Sequence, residues 1–157
     1  MRTAFLIALA AMALRAGLHL AGRPLEGTTF MLVHLLALVL VAYFATAGVL
    51  RDDRSAGFPS LMRGAFRSAA VYALLFSVFI WAFYRGLDPG YFPDRIDRMV
   101  EMAVAEGQPE EVVRQRLEAF FTPFNYASMT FFALLAAGAV NALLISVLQH
   151  RFLRRLR

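Results

Sequence analysis

Four stretches of this chain are apolar for almost as long as a bilayer is thick, and that restricts the folds open to it more than any other feature. They run over about 4–22 ("AFLIALAAMALRAGLHLAG"), 29–50 ("TFMLVHLLALVLVAYFATAGVL"), 68–84 ("SAAVYALLFSVFIWAFY") and 125–148 ("NYASMTFFALLAAGAVNALLISVL"). A helix crosses the hydrocarbon core with about 20 predominantly apolar residues. The last three stretches carry no charged residue. Only helices or closed barrels satisfy their backbone inside lipid. The expectation is an all-α integral membrane bundle of four transmembrane helices, forming a single membrane domain over 1–157. The hydrophobic share of 60% agrees, since soluble domains sit near 45–50%.

Arginines fall unevenly about these spans. Arg2, Arg51, Arg54, Arg63, Arg67, Arg151, Arg154, Arg155 and Arg157 would share one side with only Asp52 and Asp53. Arg23, Arg85, Arg95, Arg98, Arg114 and Arg116 would share the other with nine acids. The positive-inside rule then places both termini in the cytoplasm, with 149–157 as a basic tail. Arg51, Arg54, Arg63, Arg67, Arg151, Arg154, Arg155 and Arg157 are candidates for anionic lipid headgroups. Trp81, Tyr84, Tyr91 and Tyr126 belong to the outer aromatic belt. The strong basicity raises nucleic acid as a partner, but this arrangement of charge favours a membrane. The first stretch also competes with a signal peptide: Arg2, an apolar core and small residues follow in order, without a clean A-x-A site. Cleavage would leave three spans. The cysteine count of zero removes disulfides, thiol chemistry and Cys-based metal sites.

Between the third and fourth spans, an amphipathic helical hairpin is expected over about 93–122 in the outer loop. Pro93 and Asp94 open its first helix, whose apolar stripe is Ile96, Met99, Val100 and Ala103. Gly107 ends it. Pro109, Glu110 and Glu111 open the second helix, with acids at the positive end of its dipole. Val113, Leu117, Phe120 and Phe121 form the second apolar face, and Thr122-Pro123 breaks the chain. Between spans two and three, Phe58, Leu61, Met62 and Phe66 with Arg63 and Arg67 predict a short interfacial helix feeding span three. Asp52 and Asp53 flank a helix end rather than a metal.

The third stretch passes into "LDPGYF", then "EGQPEE", then a Pro-containing entry to a small-residue-rich last span and a basic tail. This pattern resembles the small bacterial membrane proteins catalogued as domain of unknown function 4199, over nearly the whole chain. The resemblance implies four spans in the cytoplasmic (inner) membrane. It implies no activity and transfers no catalytic or binding residue. Arg15 inside the first span and the exclusive use of Arg as basic residue depart from it.

Ionisable groups inside spans are functional candidates by default. Here they are Arg15, His19 and His34, with Asn141 as a polar companion and Arg23 at the edge. Arg15, His19 and Arg23 are four apart and form one helical stripe, along which Arg15 can snorkel outward. Ala13, Gly17 and Ala21 form a nearly opposite small-residue face, and Ala137 and Gly138 flank Asn141. Small faces let membrane helices approach closely. Asn141 is expected to bond a neighbouring helix. Ser77, Ser128, Thr130 and Ser146 are expected to serve their own helix backbone. No span holds Asp or Glu, which counts against a cation- or proton-coupled carrier. Catalytic residues, metal site and cofactor are all expected to be none, with bis-His haem through His19 and His34 as the alternative.

The function expected is a small non-catalytic membrane protein, an accessory or structural subunit. Its partners would be membrane lipids and other membrane proteins or a second copy. The alternative is a channel, carrier or small-ligand binder lined by Arg15, His19, His34 and Asn141.

Overall fold

The computed structural model describes residues 2–23 and 27–152, and the side chains among them except those of 27, 28 and 152. Six helices follow in order: α1 (Arg2–Leu20), α2 (Gly27–Asp52), α3 (Phe58–Gly86), α4 (Tyr91–Ala105), α5 (Glu110–Phe120) and α6 (Pro123–Phe152). The protein is 88% helical, with no strand among the described residues. Four of the helices, α1, α2, α3 and α6, are long and apolar enough to cross a bilayer. Many of their large side chains face outward, including Leu6, Leu32, Leu36, Phe132 and Val140. Such exposure is costly in water and ordinary in lipid. Length, composition and exposure together point to a membrane protein.

The helix ends have local causes. Gly22 and Gly107 are the residues at positive φ, 68° and 84°. Each lets the chain turn left-handed after a helix, and the next amide reaches back five residues. Arg23 N–H donates to Leu18 O at 2.9 Å and Gln108 N–H to Ala103 O at 3.0 Å. This is the glycine-closed helix terminus. Pro123 begins α6, where its missing N–H costs nothing.

The chain divides into two compact units. One comprises Met1–Phe76 with Phe131–Arg157, the other Ser77–Thr130. In the first, small residues set the helix spacing. Ala42, Ala65 and Ala142, from α2, α3 and α6, are fully buried together. A Cβ on Gly138 would stand 2.8 Å from the Ala69 Cβ, and one on Gly64 2.9 Å from Val49 Cγ2. Backbones this close are what small residues permit.

In the second unit, α4 and α5 pack through Ile96, Val100 and Val113, with Ala103, Leu117 and Phe121 against them. Phe120, expected on that face, is half exposed. Phe121, also expected there, does pack against the cluster from one residue past α5. Tyr84 is buried among Tyr91, Phe92 and Tyr126, at centroid distances of 4.7, 5.0 and 5.4 Å. On their exposed sides Arg114 donates to Asp97 at 2.6 Å and to Glu110 at 3.3 Å.

One expectation is corrected. Residues 58–67 do not form a short helix of their own but are the first turns of α3. Leu61 and Ala65 there are fully buried. No breaker separates Arg67 from Ser68, so the helix continues without a joint.

Candidate functional site

α1 is almost wholly apolar, so its composition does not choose a buried face. Its buried residues are Ala4, Ala8, Ala11 and Arg15. They recur at intervals of three and four and define one side of the helix. Alanines bring that side close to its neighbours, and Arg15 follows them in, 8% exposed. Its guanidinium lies 4.8 Å from the centre of the Phe30 ring, one turn into α2. A cation over an aromatic face is attracted by the ring quadrupole, about 2 kcal/mol or more when desolvated.

Phe30 also touches His34, with centroids 4.4 Å apart and rings nearly perpendicular. Phe76 of α3 meets His34 from another side at 4.3 Å. His34 Nδ1 lies 2.7 Å from the Tyr72 hydroxyl, also of α3. One of the pair donates and the other accepts, according to the imidazole tautomer. Tyr72 is fully buried and stacks beside Phe76. Arg15, Phe30, His34, Tyr72 and Phe76 thus form a continuous polar and aromatic centre joining α1, α2 and α3.

The stripe read from sequence does not act as a unit. Arg15 is buried, His19 is half-buried and Arg23 is exposed. Arg15 and His34 come together around Phe30. Asn141 does not share their contacts. Its amide donates to Ala137 O at 2.9 Å, within α6, and not to a neighbouring helix as expected. Ser128 and Thr130 likewise donate to the carbonyls of Phe124 and Tyr126. Ser77 and Ser146 are buried without such a bond among the described residues.

The opposite side of α1 is open. Ala13, Gly17 and Ala21 (the last just past the helix) are exposed. Beyond the helix's own backbone, no described atom lies within 4 Å of a Cβ placed on Gly17.

Tyr72 is the residue that sequence reasoning missed. A tyrosine in an apolar span reads as packing, and nothing local links it to a histidine 38 positions away. Gln149 was missed too. It is buried, and its amide reaches Tyr43 O at 3.4 Å.

This centre can anchor helices and fix ring orientations. Its one hydroxyl, that of Tyr72, lies against the His34 imidazole. Among the described residues, no three His, Cys, Asp or Glu gather to hold a metal. Haem ligation through His34 fits poorly. Nδ1 is engaged by Tyr72, and Nε2 is closed off from solvent by packed atoms. An axial bond there would have to displace them.

Of the arginines assigned to headgroups, Arg51 and Arg67 line a cavity. All five of Arg51, Arg54, Arg63, Arg67 and Arg151 are exposed. Arg154, Arg155 and Arg157 lie outside the described residues. Asp53 serves a turn after α2, accepting from the Ser55 hydroxyl at 2.6 Å and the Ser55 amide at 2.8 Å. These bonds, the hydroxyl's first, hold its carboxyl below the usual range.

Comparison with known proteins identifies a family over almost the whole chain. No curated protein and no solved structure matches it. The family described as "Protein of unknown function (DUF4199)" matches residues 3–151. With that extent of match, and with the apolar helices that its sequence pattern implied, the chain belongs to the DUF4199 family.

Proposed function

We propose that this protein is a non-catalytic integral membrane protein, an accessory or structural subunit whose first helix docks against another membrane helix. The observation that carries the reading is the contrast between the two sides of α1. One side is committed inside the chain by Ala4, Ala8, Ala11 and Arg15. The other presents Ala13, Gly17 and Ala21 with open space at Gly17. Association in lipid draws on close van der Waals packing, and a small-xxx-small face supplies the room for it. The partner is a second copy or a different membrane protein.

In this reading α1, α2, α3 and α6 span the cytoplasmic membrane as a bundle. The arginine asymmetry puts both termini in the cytoplasm, and α4 and α5 form a hairpin in the outer loop. A ligand channel lined by Arg15, His19, His34 and Asn141 is less well supported, because Asn141 bonds its own helix and His34 is engaged by Tyr72.

Native mass spectrometry after mild detergent extraction tests the proposal. Wild-type protein should appear as an oligomer or with a co-purifying membrane protein. Gly17→Leu should release the partner while keeping its helicity. A wild type that is strictly monomeric with nothing bound rejects the proposal.

A further inference from the structure

Three arginines of the arginine-rich side of the sequence fall around one space. Arg2 of α1, Arg51 at the end of α2 and Arg67 of α3 line one cavity of about 410 Å³. Asp52 is the acid in the lining, so the cationic groups outnumber it three to one. Arginine guanidinium matches phosphate geometry with paired N–H donors, better than a point charge does.

The lining also changes along α2. From Arg51 back to Val41 the helix rises roughly 15 Å, and Phe44, Ala45, Gly48 and Val49 line the cavity between them. Its charged end gives way to apolar side chains. A free anion has no use for the apolar part, and an apolar chain has none for the arginines. An occupant with an anionic head and a hydrocarbon tail satisfies both.

We propose that this cavity holds the phosphoryl headgroup of an acidic membrane phospholipid, with the start of one acyl chain along Phe44 and Ala45. This is narrower than a general attraction of lipids to basic residues. Arg54 and Arg63 belong to the same stretch of sequence but do not line the cavity, and they provide the internal control. The inference requires a membrane protein. It does not require α1 to dock a partner, so the two readings can fail separately.

The test is titration of the delipidated full chain in detergent, read by native mass spectrometry. The probes are dioleoyl phosphatidylglycerol, dioleoyl phosphatidylcholine and inorganic phosphate. Phosphatidylglycerol should bind at one site per chain, at least about tenfold tighter than phosphatidylcholine. Arg51→Gln with Arg67→Gln should abolish that preference. Arg54→Gln with Arg63→Gln, which removes the same charge, should keep it. Inorganic phosphate at equal concentration should not displace the lipid. Equal binding of both lipids overturns the proposal, and that comparison needs no variant to fold. Equal loss in the two charge-matched variants overturns it too, as does displacement by phosphate alone.

Discussion

Gly17 and Gly138 look alike in the sequence, each a glycine amid alanines in an apolar helix. They differ in what stands beside them. At Gly138 the Ala69 methyl occupies the space, and Leu38 closes in at 3.5 Å. At Gly17 no described atom beyond the helix's own backbone lies within 4 Å of a Cβ placed there. Gly138 of α6 brings helices of the same chain together, whereas the Gly17 face of α1 has no counterpart among the described residues. A glycine in a membrane helix therefore marks close approach, but only the fold tells whether the approaching helix is the chain's own.

The largest expected effect separates the two directly. Gly138→Leu forces side chains into a filled contact and should destabilise by about 1–3 kcal/mol, or more if the helices cannot shift. Gly17→Leu should change the stability of the isolated chain by about 0.5 kcal/mol or less. Thermal unfolding of both variants in detergent, followed by circular dichroism, measures the difference. Equal destabilisation would break the distinction on which the reading of α1 rests.

A second, somewhat smaller effect tests what holds the committed side of α1 and its neighbours. Tyr72→Phe leaves His34 Nδ1 buried without its partner, a loss of about 1–3 kcal/mol. His34→Leu on that background should then cost less than it does alone, because the pair is already broken. Additive losses in the four-variant cycle would mean that the 2.7 Å contact contributes nothing. The smallest effect belongs to the exposed charges of α4 and α5. Arg114 bonds Asp97 and Glu110 in the open, where solvent and salt screen such pairs. Arg114→Ala should leave the unfolding temperature unchanged in high salt. A loss there as large as that of Tyr72→Phe would mean that the hairpin charges matter as much as the buried centre.

What the sequence revealed follows from the range of the forces involved. The four long apolar helices were legible because length and hydropathy are local and additive. The end of α4 was legible at Gly107, where the left-handed turn needs a glycine. The continuity of α3 through 58–67 was not, because amphipathic arginines near a span read as an interfacial segment until Leu61 and Ala65 are seen buried. The Arg15–His19–Arg23 spacing gave a stripe that holds only as far as His19, because α1 ends at Leu20 and the chain turns at Gly22 before Arg23. It could not say that burial would fall off from Arg15 to Arg23, since that depends on where α1 ends against α2. Tyr72 lay beyond sequence reasoning for the same cause: its significance is a contact between two helices.

The central claim is that the Gly17 side of α1 meets another protein. The chain has no cysteine, so a single introduced thiol can be labelled without background. Leu14→Cys stands at the rim of that side, and Leu36→Cys, exposed on α2, is the control. Each is labelled with a photoreactive maleimide in intact membranes and illuminated. The account predicts a discrete protein adduct from position 14 and lipid labelling alone from position 36. Lipid labelling alone from both would contradict it.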